Sequence, residues 1–143
     1  MFSIKILSHV DLPLLLNVAD GVFDNSIDES YASEFLNDPR HHIVVAIAGG
    51  MIVGFASAVH YIHPDKPSEL WINEVGVAPS HQKQGIGKAL MKELLQLGHK
   101  LGCKTAWVLT DRSNEPANQL YKSSGGLADP GDTVMYQIDL AGK

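Results

Sequence analysis

The 143-residue sequence contains a single cysteine, Cys103, so no intramolecular disulfide can staple it. Charge is sparse, with 19% charged residues, and basic residues are the minority: 11 Lys and Arg against 16 Asp and Glu, for a formal net charge of -5. Such a balance argues against a nucleic-acid partner, which needs a basic face to neutralise phosphates. It is compatible with a cationic ligand but locates no site. No apolar run approaches the length that spans a bilayer. The opening Met1-Phe2-Ser3-Ile4-Lys5 lacks the charged-then-apolar pattern of a signal peptide, so the expected compartment is cytoplasmic, with no membrane partner. Repeats, linkers and low-complexity stretches are also missing. What remains is a chain of 45% hydrophobic residues, the size of one domain with one core spanning 1–143.

Within that domain, apolar periodicity switches repeatedly between two and 3.6 residues. Residues 2–7 alternate as a first strand. Asp11 is a candidate N-cap with Pro13 in the first turn, and Leu12, Leu15, Leu16 and Ala19 predict a helix running to about Val22 or Phe23. A second short helix is expected from Asp28 to Asn37, ahead of Pro39. Residues 42–48 and 51–61 are rich in Val, Ile and Ala and flank Gly49-Gly50, a hairpin signal because the favoured two-residue turns need positive φ. A strand is expected over 69–77. An amphipathic helix over 85–101 carries Ile86, Leu90, Leu94, Leu97 and Leu101 on one face, with Gly102 as its C′ residue. A strand over 104–109, a helix over 114–123 and a last strand over 133–140 complete a mixed α/β order.

The stretch Asn73-Glu74-Val75-Gly76-Val77-Ala78-Pro79-Ser80-His81-Gln82-Lys83-Gln84-Gly85-Ile86-Gly87 takes a strand through a short loop into a helix. A helix start offers unpaired N–H groups and the positive end of the macrodipole. Glycines at 85 and 87 open the main chain to an anion, a pyrophosphate above all. The plain alternative is glycine used for tight packing at a helix start. Gly87-Lys88-Ala89 lacks the hydroxyl and the preceding glycine of a P-loop, and two glycines are too few for the dinucleotide fingerprint.

Gln82-Lys83-Gln84-Gly85-Ile86-Gly87 resembles the Arg/Gln-x-x-Gly-x-Gly/Ala signature of the GNAT superfamily of N-acetyltransferases. Downstream, Asn114-Glu115-Pro116-Ala117-Asn118-Gln119-Leu120-Tyr121 with Gly125 and Gly126 resembles that family's Asn-x-x-Ala-x-x-Leu-Tyr helix. The resemblance implies a mostly antiparallel central sheet, splayed between strands 4 and 5 and flanked by helices. It implies acetyl-CoA as co-substrate, with the main chain of Gln82, Lys83, Gln84, Gly85, Ile86, Gly87 and Lys88 on the pyrophosphate. Val75 and Val77 would pair with the pantetheine arm, Asn114 and Ala117 would touch the pantetheine or the acetyl end, and Gly76 would permit the bulge that splays the strands.

An amine attacks a thioester only as the free base, and Glu74 is the candidate general base, directly or through a water. The alternative is a solvent-facing strand carboxylate. Tyr121 is the candidate acid for the departing thiolate, against a tyrosine packed at the core edge. Direct transfer in a ternary complex is expected, with Cys103 a small hydrophobe at a strand start. The histidines show no ligand spacing, so no metal is expected; His41 and His42 are adjacent and His60 and His63 straddle a strand end.

A looser likeness, through Val22-Phe23-Asp24, the 68–77 strand and 134–140, points to the aminoglycoside 3-N-acetyltransferase branch, where an aspartate usually stands in place of Glu74. Asp24, Asp28, Glu29 and Asp111 are then candidate contacts for a polycationic amine, or else caps and solvated loop charges. Two other readings stay open: an acetyltransferase for another small-molecule or peptide amine, and a non-catalytic acetyl-CoA-binding module. The last strand offers an edge for a homodimer.

Overall fold

A computed structural model describes residues 1–142. Its sheet has five strands in the order β1 (Ser3–Ile6), β2 (His41–Ala48), β3 (Met51–Tyr61), β4 (Glu69–Val77) and β5 (Thr105–Val108). Neighbours are antiparallel except β4 and β5, which run parallel. Helices α1 (Leu12–Leu15), α2 (Glu29–Asn37), α3 (Ile86–Lys100) and α4 (Glu115–Ser123) surround it. Among the described residues, no helix is long and apolar enough to cross a membrane.

The core lies between the sheet and α3. Ile86, Leu90 and Leu94 come from the apolar face expected of that helix, and they meet Val44, Ile52, Leu70 and Ile72, all fully buried, while Val45 pairs with Phe55 on the opposite face. Close approach is built in at Gly98, where a Cβ would stand 2.9 Å from Leu70 Cδ2. The helix stops as expected: Gly102 adopts φ +84, its N–H donates to the His99 carbonyl, and Cys103 N–H donates to the Gly98 carbonyl. This double closure is a Schellman motif. Gly49 and Gly50 adopt φ +59 and +77 at the expected hairpin.

Three expectations need correction. The first helix is only one turn, α1, because the chain beyond it bonds to β3 instead of continuing. Ile52 N–H donates to the Asn17 carbonyl, Ala19 N–H donates to the Ile52 carbonyl, and Val18 forms an isolated parallel bridge with Ile52. Nor does the Asp11 side chain cap α1. Its carboxylate turns back to accept from Lys5 Nζ and from Ser8 N–H, each at 2.8 Å, and the lysine bond first, then the backbone bond, hold its pKa below the usual carboxylate value. The third correction is at the C-terminus. Residues 133–140 form no strand, and Val134, Met135, Tyr136, Ile138 and Leu140 stand exposed. Their alternation suits a strand, but strand geometry needs a partner to satisfy its main chain, and no edge lies beside them.

Candidate active site

Strands β4 and β5 pair only over Glu69–Ile72 and Thr105–Val108. Beyond that they diverge, leaving the β5-facing main chain of residues 73–77 without a strand partner. The divergence begins at a bulge. Ser57 pairs with Glu74 and Ala58 with Ile72, so Asn73 is the extra residue on β4. Asn73 therefore does what was expected of Gly76, and the insertion has a second effect. Leu70 and Ile72 face α3; strict alternation would turn Glu74 to that same buried face. The extra residue shifts the phase, so Glu74 and Gly76 point away from α3 while Val75 and Val77 take its side.

Gly76 serves another purpose. A Cβ there would stand 2.6 Å from the Val22 carbonyl oxygen and 2.9 Å from Phe55 Cε1. The missing side chain lets segment 21–24 lie against β4, steadied by Phe23 stacked on Phe55 at 4.0 Å between ring centroids.

The resulting cleft, about 400 Å³, brings together Asp24, Glu74, Val75, Gly76, Val77, Gln82, Asn114, Ala117 and Tyr121. Glu74 is exposed at the floor, and the Tyr121 phenol is half-buried. Burial pushes the tyrosine pKa above its ordinary value, so the hydroxyl keeps its proton at neutral pH. Asn114 Oδ1 accepts from Ala117 N–H at 3.2 Å, so this asparagine caps α4 at the cleft wall. The sequence reading missed Asn73, Leu109 and Thr110 as lining residues. Leu109 and Thr110 carried a usable signal: they follow a parallel strand, and α/β sites gather at the C-terminal ends of such strands.

The expected anion cradle lies at the start of α3. Gly85 adopts φ +82 and no side chain caps the helix. The first helical bond that follows is from Ala89 N–H to the Gly85 carbonyl, so the N–H groups of Ile86, Gly87 and Lys88 precede the ladder. Lys83 is also left-handed, at φ 63, uncommon for a residue with a side chain. Left-handed residues interspersed with ordinary ones form a concave nest of N–H groups. Gln82 ties this loop to the strand by donating from Nε2 to the Val77 carbonyl at 3.3 Å. Lys83, Gln84, Gly85 and Lys88 are exposed, whereas the Ile86 side chain is in the core, so only its main chain is available. The loop and helix start thus fit a pyrophosphate, and the unpaired edge of β4 fits an extended amide-bearing arm.

The four acidic candidates separate. Asp24 lines the cleft. Asp28 caps α2, accepting from Tyr31 N–H at 2.9 Å, and Glu29 occupies the first turn of that helix. Asp111 is exposed outside the cleft lining, its carbonyl accepting from Asn114 N–H at 3.0 Å. Cys103 lines a different cavity of about 160 Å³ between α3 and β5, and burial raises its thiol pKa. Among the described residues, no group of three or more His, Cys, Asp or Glu could hold a metal. His42 and His60 do meet, Nε2 to Nδ1 at 2.7 Å, across β2 and β3.

The model of the acetyltransferase (GNAT) family matches residues 13–125. The chain belongs to that family. It is 37% identical over 90 residues to N-alpha-acetyltransferase RimI of Mycobacterium tuberculosis, covering 63% of this chain and 54% of that protein. It is 36% identical over 89 residues to a mycothiol acetyltransferase of Pseudarthrobacter chlorophenolicus, covering 62% of this chain and 28% of the relative. The chain therefore spans about half of one curated relative and less than a third of the other. The fold is shared with an aminoglycoside acetyltransferase from an uncultured soil metagenomic sample, solved in complex with sisomicin. There the TM-score is 0.82, identity is 22%, and 96% of this chain and 95% of that chain are covered.

Proposed function

We propose that the chain is an acetyl-CoA-dependent N-acetyltransferase that passes an acetyl group directly to a primary amine. The observation that carries this reading is the cleft between the diverging ends of β4 and β5, which opens on Glu74 and Tyr121 beside the uncapped start of α3. Acetyl-CoA would supply the activated acyl carbon as a thioester. Its pyrophosphate would be held by the main-chain N–H groups of residues 82–88, with Lys83 and Lys88 adding positive charge. Val75 and Val77 offer main-chain groups to the pantetheine arm, in the manner of a strand added to a sheet edge.

Glu74 accepts the proton that the acceptor nitrogen loses as the N–C bond forms, directly or through a water. Tyr121 donates its phenolic proton to the sulfur as the C–S bond breaks. Cys103 lies in another cavity and has a raised pKa, both of which oppose an acetyl-enzyme.

For the acceptor, an aminoglycoside is our preferred reading. It is supported by the fold shared with aminoglycoside acetyltransferases and by Asp24, the acidic candidate that lines the cleft. Asp28 caps α2 and Glu29 stands in its first turn, and neither lines the cleft. The sequence relatives favour a second reading, since neither is named for an aminoglycoside: one name carries mycothiol, the other an N-alpha position. Release of free CoA thiol, measured with kanamycin-type aminoglycosides, small amines and peptide α-amines, decides among them. Turnover confined to the peptides would overturn the aminoglycoside reading. Binding of acetyl-CoA without turnover on any amine would leave a non-catalytic binding module.

A further inference from the structure

The face of the sheet turned away from α3 continues past the cleft, along the paired part of β4 and β5. Leu70 and Ile72 face α3, so Glu69 and Trp71 turn the other way, as Glu74 does. Trp107 pairs with Trp71 and Tyr61 with Glu69, which puts all four side chains on that same face. The two indoles, the only tryptophans in the sequence, meet edge to face, with 4.0 Å between ring centroids and 82° between planes.

Each indole is anchored by its own N–H. Trp107 Nε1 donates to the Tyr61 hydroxyl at 2.8 Å, and that hydroxyl donates to Glu69 Oε1 at 3.1 Å. Trp71 Nε1 donates at 3.4 Å to Oδ1 of Asn73, the bulge residue that lines the cleft. His63 closes the far end, edge-on to Tyr61 at 5.0 Å, with its Nε2 3.8 Å from Glu69 Oε1. Trp107 nonetheless keeps 42% of its surface in solvent. A ring held in one orientation and left open offers contact area at little ordering cost. Three aromatic rings beside a carboxylate suit an ammonium group, because the ring faces are electronegative and the tyrosine engages only Oε1 of Glu69. Leu109, two residues past Trp107, joins this shelf to the cleft.

We propose that the shelf of Tyr61, Glu69, Trp71 and Trp107 is a second acceptor subsite, holding an ammonium group other than the one that is acetylated. Trp71 lies three residues from Glu74 on one strand. At about 3.3 Å per residue, less what the bulge takes up, the two nitrogens stand roughly 8–10 Å apart. The acceptor class is therefore a dication, an aliphatic diamine or an aminosugar with a second amine at that distance. The inference rests on the acetyl-transfer reading for the place of the reacting nitrogen, but filling the shelf requires no acetyl transfer.

Both tryptophans belong to the shelf, so intrinsic fluorescence of the full-length chain reports its occupancy without acetyl-CoA. Hexamethylenediamine or a kanamycin-type aminoglycoside should give a saturable change, with a midpoint roughly tenfold or more below that of hexylamine, which carries one ammonium. The dication that binds more tightly identifies the source of the second amine. Glu69→Gln keeps an acceptor for Tyr61 and removes the charge; it should erase most of the preference, as should Trp107→Ala, with circular dichroism unchanged. In turnover with acetyl-CoA, both variants should raise KM for the dication roughly tenfold more than KM for hexylamine. A merely structural defect would move the two amines together. Equal midpoints for dications and hexylamine, no fluorescence change with any of them, or a preference undiminished in Glu69→Gln overturns the subsite. Saturation by a dication without CoA release keeps the subsite and sinks acetyl transfer to that amine. CoA release without a fluorescence change does the reverse.

Discussion

Glu74 and Tyr121 are separated by most of the cleft-forming sequence, and the roles assigned to them make different demands. Glu74→Gln keeps the shape and removes the base; a positioned general base contributes about 10² to 10⁴ in rate. We expect kcat to fall by roughly a hundredfold or more, with acetyl-CoA binding intact. Tyr121→Phe should lower kcat about tenfold to a hundredfold. Because burial raises the phenol's pKa, the tyrosine's contribution should survive to pH values above the ordinary tyrosine range. Steady-state kinetics on both variants checks this, and wild-type turnover in either removes that residue from the mechanism. A second residue-scale consequence concerns stability. Burial first, then the neighbouring His60 and His41, lower the His42 pKa to about 4. Unfolded, His42 takes up its proton near 6.5. Between those values the unfolded chain binds more protons, so acidification through that window favours unfolding. Melting temperatures should fall from pH 6.5 toward 4, and His42→Gln should flatten the slope; parallel slopes would show that His42 does not titrate this way.

At the scale of elements, the bulge and the glycine beside it share the work of making the cleft. Asn73 rotates the phase of β4, and Gly76 admits the Val22 carbonyl. Gly76→Ala puts a methyl 2.6 Å from that backbone oxygen, which a side-chain rotation cannot relieve. We expect a loss of about 1–3 kcal/mol, read by denaturant unfolding, and weaker acetyl-CoA binding as segment 21–24 is pushed off β4. Unchanged stability and affinity would mean that this segment yields freely. The long elements were legible in the sequence because their signals are local: the Gly-Gly hairpin, the α3 stripe with Gly102, and the 114–123 helix. The bulge was not, since it depends on how β4 registers against β3. The arrested first helix was not either, because its competitor, Ile52, lies far along the chain. Local pattern also gave 133–140 its strand character while leaving its partner unspecified. The same division holds for the site. Gln82 to Lys88, Tyr121 and the capping alternative for Asp28 could be read from local sequence, but Leu109 and Thr110 as lining residues required the fold.

For the whole molecule, the proposed reading asks a chain of net charge -5 to hold a strongly anionic co-substrate. Net charge supplies no long-range attraction, so binding would rest on local groups that act over short range: the main-chain N–H groups, the α3 dipole, and Lys83 and Lys88. A ligand that binds only the folded chain stabilises it by about 2.7 kcal/mol at a hundred times its Kd. For a molecule of this size that corresponds to roughly 5–10 °C in Tm. Acetyl-CoA should give such a rise, while acetate or pantetheine alone should give much less. Gly85→Ala isolates the cradle. A methyl at 85 meets nothing within 4 Å, so the substitution is sterically open, but φ +82 is strained for alanine. That strain costs about 1–2 kcal/mol whether or not ligand is present, lowering the baseline Tm. Relief of that strain turns the N–H groups of residues 86–88 away from the nest, so the acetyl-CoA-dependent rise should shrink beyond the baseline loss. An undiminished rise in Gly85→Ala would place the pyrophosphate elsewhere on the molecule.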